Sequence, residues 1–234
     1  VSQLALSFML LIGAALMLKS FSNLQSVDPG FRSDHVLTMT VDLNWSKYVN
    51  PQHRVDKERV MKTFDPLWDR VRGIPGVVTA GSAWTFPLNS SFSSNGGFMI
   101  EGIHHEGDTL PRAEFRGASA SYFESLGVPV LRGRAFDEHD RDGAEQVAIV
   151  SQGLARRHWG AQDPLGQRIS TDRGKTWARV VGVVGDVRQT GLAVEPPDLV
   201  YAAFPQFPGY TSTLFVRTSG DPALLADKVR GEVR

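Results

Sequence analysis

The sequence predicts an α+β fold: a discontinuous βαβ-type subdomain with an inserted strand-rich subdomain, preceded by an N-terminal transmembrane helix. Three observations carry this. The chain opens on an uncharged apolar run, residues 4–18. A strand pattern, an amphipathic helix pattern and a second strand pattern follow between 36 and 84. Short apolar runs punctuated by Gly, Pro and Asp then fill 112–203, before a closing strand and helix. The implied division is 1–28 for the membrane helix and its extension and 29–111 for the first part of the α/β subdomain. The insert is 112–203, and 204–234 returns a strand and a helix.

In the apolar run Ser7 is the only hydroxyl, and Leu4, Phe8, Leu11, Ala15 and Leu18 share one side while Leu6, Met9, Leu10, Ile12 and Met17 fill the others. A helix packed on a protein surface shows a polar stripe, and this one has none. A signal peptide needs a basic start and a small-residue cleavage site, but the chain starts Val1-Ser2-Gln3 and the run ends Lys19-Ser20-Phe21. The remaining choices are a buried core helix and one end of a membrane span, and the all-round grease favours the span. A full span takes about 20 apolar residues, so the run is slightly short. The absent Met and a final helix without a stop signal suggest a piece of a longer chain. Lys19 sits awkwardly just past the span, because basic residues prefer the cytoplasmic side. Residues 22–28 continue the helix with mixed polarity until Pro29-Gly30 breaks it.

Residues 36–43 alternate apolar and polar with β-branched members, which predicts a strand. Asn50-Pro51 opens a helix over 52–72, with Val60, Phe64, Leu67, Trp68 and Val71 on one face; Pro66 inside it predicts a kink or a division. Gly73 to Gly76 stops the helix and 77–84 is a second strand. Residues 85–97 read as a loop, 98–102 as a short strand, 104–111 as a polar loop and 114–116 as a strand. A short helix over 120–126 closes at Gly127. Strands follow at 128–131 and 147–150, and Ser151 N-caps a helix over 152–159. Residues 163–166 are a turn; 179–185, 199–202 and 213–218 are strands; Asp221-Pro222 starts the last helix.

The bulk numbers exclude several functions. Among 234 residues, 25 Lys and Arg offset 25 Asp and Glu, so no net field draws the chain to nucleic acid, and neither a basic stripe nor an aromatic platform is present. A hydrophobic fraction of 41% is ordinary, so the greasy start is a local feature. The chain has no Cys, which rules out disulfides and thiolate metal sites and suits an oxidising extracytoplasmic space. Gly and Pro are scattered as turn punctuation, and there is no fixed-period repeat.

Candidate chemistry dissolves on inspection. Gly174-Lys175-Thr176 lacks the Gly that a phosphate loop needs, Ile169 standing in its place, so 172–174 reads as a hairpin turn. Gly182 to Asp186 has the wrong spacing for a dinucleotide loop and reads as one buried strand. His104-His105-Glu106 are adjacent, so on an extended chain they point opposite ways and do not converge on one ion. Asp137, Glu138, His139, Asp140 and Asp142 lack calcium-loop spacing and read as a solvated loop beside Arg132, Arg134 and Arg141. Ser151 and His158 have no hydrolase elbow around them. Trp68 and Trp159 are assigned to cores. Sequence reasoning therefore expects no catalytic, cofactor-binding or metal site, no cofactor and no enzyme activity.

The order of motifs carries more. "VDPGF" after the apolar run, "IPGV", "SYFESLGVPVLRGRAF", "VAIVSQGLARRHWGAQDPLGQRI", "VVGVVGDVR" and "LFVRTSGDP" together cover nearly the whole chain. In this order and spacing the sequence resembles the MacB-like periplasmic core domain of ABC-type permeases with an FtsX-like membrane domain. The resemblance implies a domain hung between the first membrane helix and later ones at the bacterial inner membrane, with the globular part extracytoplasmic. It implies as partners an ATPase subunit or domain, a second permease copy, membrane lipid and a periplasmic adaptor, and it implies an export role driven by movement of membrane helices. It also implies turn positions at Gly127, Gly133, Asp163, Pro164, Gly166, Gly182 and Gly185. The alternative reading is a membrane-anchored extracytoplasmic sensor or ligand-binding module, its ligand held in a cleft between the subdomains.

Overall fold

The computed structural model describes residues 2–50, 54–89, 94–103, 110–209 and 211–233. In chain order the elements are α1 (Ser2–Gln25), β1 (Val36–Asp42), α2 (Lys57–Arg72), β2 (Val77–Ala83), β3 (Asn95–Gly97), β4 (Met99–Ile100) and β5 (Arg112–Ala118). They continue with α3 (Tyr122–Leu126), β6 (Val130–Gly133), β7 (Val147–Ser151), α4 (Gln152–Trp159), β8 (Arg168–Ser170), β9 (Ala178–Val184), β10 (Leu199–Ala203), β11 (Thr211–Thr218) and α5 (Ala226–Val233).

The described strands form one sheet in the order β1-β11-β2-β5-β10-β7-β9-β8-β4, with β3 on β5 and β6 on β9. Both β1 and β2 run antiparallel to β11, so they are parallel to each other with the return strand between them. The βαβ unit expected from sequence is thus a split one. Val36 pairs with Arg217 and Val77 with Thr218, so β1 and β2 start where β11 finishes. At β2 the two halves of the sheet meet through one paired position, Ala83 with Ala118. Asn95–Ile100, grouped by sequence with the first part of the chain, pairs instead with β5 and β8.

α2 shows why its sequence is a helix. The Asp56 carboxylate caps it by accepting from the Arg59 N–H, Glu58 sits in the first turn, and Arg70 and Arg72 sit in the last, each matched to the helix dipole. Val60, Met61, Phe64, Leu67, Trp68 and Val71 are all buried against β1, β11 and β2. Pro66 neither divides nor ends the helix. It lies on the exposed face, where the carbonyl it leaves without a donor meets water. The helix begins later than its sequence pattern, because Val49 and Val55 bridge and the Asn50 carboxamide accepts from the Arg54 N–H first.

Period-two alternation sorts the strand residues onto two faces. One face holds two cores: Phe64, Trp68 and Phe204 under α2, and Phe98, Leu154, Trp159 and Val183 under α4. The other face holds Tyr122, Phe123, Ile149, Val184, Tyr201 and Phe215. Tyr122 and Phe123 are supplied by α3, and the others by strands as far as five places apart in the sheet. Trp68 and Trp159 are core residues, as read from sequence. Ser151 caps α4 through the Leu154 N–H and also accepts from the Leu199 N–H. The short strands β3 and β8 went unpredicted.

Candidate functional site

α1 is the described helix long and apolar enough, by length and composition, to cross a membrane. None of its apolar window is buried: Leu11 is 65% exposed and Met17 is 77% exposed. The described domain therefore does not bury this helix in its own core. About 25 cal/mol per Å² disfavours leaving such side chains in water.

Where α1 ends, the chain is bolted to three separate elements. The Asp28 carboxylate accepts from the Gly30 N–H at 2.8 Å, shaping the turn at Pro29. Gly30 has φ +80°, and a Cβ there would stand 1.9 Å from the Asp186 carbonyl oxygen, so only glycine fits. Arg188, just beyond β9, donates its N–H to the Pro29 carbonyl at 3.0 Å and its Nε to the Asp28 carbonyl at 3.3 Å. Arg188 Nη1 donates to the Val194 carbonyl. The Arg32 N–H donates to the Leu126 carbonyl at the end of α3, 2.7 Å away.

Arg217, near the end of β11, closes the junction. Its Nε donates to the Ser125 carbonyl, its Nη1 to the Asp34 carbonyl and its Nη2 to the Arg32 carbonyl, each at 3.0 Å. A guanidinium is a rigid fork of donors, so this one side chain ties together the linker, α3 and β11. Sequence reasoning missed Arg217 and Arg188. The available signal was a charged residue at a sheet position whose neighbours are Val216 and Thr218.

Arg116 and Glu114 form a buried pair on β5, 2.5 Å apart, on the face that holds Tyr122 and Tyr201. Burial pushes both phenols well above the usual tyrosine range, against the opposing pull of Arg116, so they stay neutral. The acidic loop is not wholly solvated as expected: Asp140 is buried and accepts from Arg134 at 2.7 and 2.9 Å. Asp142 pairs with Lys57 and Arg141 with Asp65, both at 2.8 Å, which ties this loop to α2. A cleft of about 450 Å³ lies between them, lined by Asp65, Trp68, Asp69, Arg72, Phe136 and Arg141.

Residues 172–174 form the expected hairpin turn between β8 and β9, with Arg173 and Gly174 both at positive φ. The Asp172 carboxyl is lowered to about 2 by accepting from the Thr176 N–H and hydroxyl. Ser151 is a helix cap and His158 lies against the Asp198 carboxylate. Among the described residues no group of His, Asp and Glu is arranged to hold a metal ion. His104, His105 and Glu106 lie outside the described residues. Gly127 and Gly166 are at positive φ in turns, Gly133 is instead the last residue of β6, also at positive φ, and Asp163 caps its turn by accepting from the Leu165 N–H. Gly182 is instead inside β9, where a Cβ would stand 2.2 Å from the Arg134 carbonyl oxygen.

Comparison with known proteins adds the family. The family model described as "MacB-like periplasmic core domain" matches residues 4–231. Curated proteins give no match. Among solved structures, the periplasmic region of MacB from Actinobacillus actinomycetemcomitans aligns with TM-score 0.52 and 17% identity, over 86% of this chain and 82% of that one. A domain of a permease protein from Porphyromonas gingivalis aligns with TM-score 0.48 and 16% identity, over 71% and 67%. The extracellular domain of the ABC-type transporter YknZ from Gram-positive bacteria aligns with TM-score 0.44 and 18% identity, over 83% and 88%. At these identities the MacB match speaks for the fold. With nearly its whole length inside the family model, the chain belongs to the MacB-like periplasmic core domains of ABC-type transporter permeases.

Proposed function

We propose that this chain is the extracytoplasmic coupling part of an export permease. In this reading α1 is anchored in the cell membrane, and the sheet domain moves when an ATPase partner drives the membrane helices. The observation that supports it most is the junction. Arg217, Arg188 and the backbone of residues 28–34 connect the end of α1 to β11, α3 and the loop after β9. A displacement of α1 therefore reaches β11, α3 and the loop after β9 through hydrogen bonds rather than through a slack linker. Residues 112–203 act as an inserted unit carried on the split βαβ part. A second permease copy and a periplasmic adaptor are the further partners in this scheme, and no catalytic step takes place in the domain.

The test uses the intact permease assembled with its ATPase in lipid nanodiscs. Amide hydrogen exchange across residues 26–36 and 185–194 is compared between the ATP-bound and ADP-bound states. The reading predicts a nucleotide-dependent change in both segments together. Identical exchange in the two states would overturn it.

A further inference from the structure

The cleft of about 450 Å³ between α2 and the acidic loop has no part in the coupling scheme. A second hollow of about 610 Å³ adjoins it and shares Ser121, Phe136, Asp137 and Glu138, so the two form one groove. Trp68 and Phe136, 7% and 4% exposed, give the groove an apolar floor. Its walls are acidic. Arg72 and Arg141, the guanidiniums that line it, are already matched to Asp69 and Asp65. Arg134 is shared between Asp137 and Asp140, and His139 lies against Asp137 at 3.2 Å. That leaves Glu138 and Glu124 on the groove, both exposed and without an ion pair among the described residues. A recess with an excess of one sign of charge concentrates the opposite sign, even on a chain that is neutral as a whole.

A second feature is independent of charge. The Trp68 indole Nε1 is buried and has no acceptor among the described residues, although Trp68 lines the cleft. The Ser82 hydroxyl is also buried without a partner there. Ser82 is two places along β2 from Ala80, which lines the same cleft, so both share the face under α2. Buried donors are nearly always matched, so the floor of the groove calls for an acceptor brought from outside. A bare metal ion would pair with the carboxylates but leave the indole N–H unmatched and the aromatic floor uncovered. A peptide with basic side chains supplies every complement at once: a backbone carbonyl, apolar stems and positive charge along an extended shape.

We propose that this groove binds an extended basic segment of a polypeptide partner. A partner carbonyl accepts from Trp68 Nε1, and partner lysine or arginine side chains meet Glu138 and Glu124. Bound there, the segment bridges α2 and the acidic loop. The full chain in phosphatidylcholine nanodiscs is titrated with a fluorescein-labelled peptide of alternating lysine and alanine, and with its glutamate–alanine counterpart, with empty discs as the blank. Fluorescence anisotropy should show saturable binding of the lysine peptide that weakens with added salt, and none of the glutamate peptide. Glu138→Gln should weaken binding roughly two- to fivefold. Trp68→Phe keeps an aromatic ring but removes the N–H, and should weaken it roughly two- to tenfold. Glu138 is exposed and outside the cores, so its variant carries the test even if Trp68→Phe does not fold. Equal affinity for the two peptides, no binding of the lysine peptide, or unchanged affinity in either folded variant would overturn the proposal. Displacement of the peptide by an equal concentration of lysine amide would mean a site for a small cation and would also overturn it.

Discussion

Two helices of this protein, α1 and α2, invert each other's relation to solvent. α2 buries Val60, Phe64, Leu67, Trp68 and Val71 and turns charge outward, so protein is its apolar solvent. α1 carries apolar side chains on every face and buries none of its apolar window against the domain. Propensity does not separate them, since both sequences form good helices. What separates them is where the apolar surface goes. A stripe asks for one neighbouring sheet; a full cylinder asks for an apolar medium. The difference teaches that α2 belongs to the core of the domain and the apolar window of α1 does not.

The sharpest way to break this contrast is a matched pair of truncations. Phe64 contacts Trp68 and Phe204, with ring centroids 5.9 and 5.2 Å away. Phe64→Ala should destabilise the domain by about 3–5 kcal/mol. Phe8→Ala in α1 should leave the thermal midpoint of the domain unchanged in detergent micelles. Equal losses would mean that α1 is part of the domain's core.

A charge sharpens the contrast from the other side. Leu11→Arg should raise the cost of placing α1 in a bilayer by about 2.5–3.5 kcal/mol. It should shift the chain from membrane to soluble fractions while the circular dichroism of the sheet domain is retained. Loss of the domain's fold with the same change would contradict the separation. A smaller effect is expected at the start of α2, where Asp56→Ala removes the cap on the Arg59 N–H and should cost about 1 kcal/mol in urea unfolding. Smallest is Arg70→Ala. The guanidinium pairs with Glu232 on α5 at 3.0 Å, but both side chains are well exposed, so the loss should stay below about 1 kcal/mol.

The same contrast explains what was legible in the sequence. α1, α2 and α4 were readable because helical periodicity and caps are local signals, and Ser151 with its apolar partners Leu154 and Trp159 is such a case. The strands β1, β7, β9 and β11 are rich enough in β-branched residues to recognise. β3, Asn95–Gly97, has no such composition; it is a strand only because its backbone finds β5. β8 is three residues long and is defined by its hairpin partner β9. The position of β11 between β1 and β2 was invisible, because pairing between segments so far apart in the chain, such as Ala83 with Thr213, leaves no periodic trace along it. The junction was half legible. "VDPGF" marked a break, and Gly30 proves to be packed on Asp186. Arg217 and Arg188 looked like ordinary exposed charges, because their partners are carbonyl oxygens that only the fold brings together.

The account's central claim is that α1 lies in lipid while the sheet domain folds in water on its far side. Its most direct test is labelling of Ser7→Cys and Ser46→Cys in right-side-out membrane vesicles with a membrane-impermeant maleimide. The account predicts prompt labelling at 46 and none at 7 until detergent is added. Labelling at 7 in intact vesicles, or labelling at 46 only after they are opened, would contradict it.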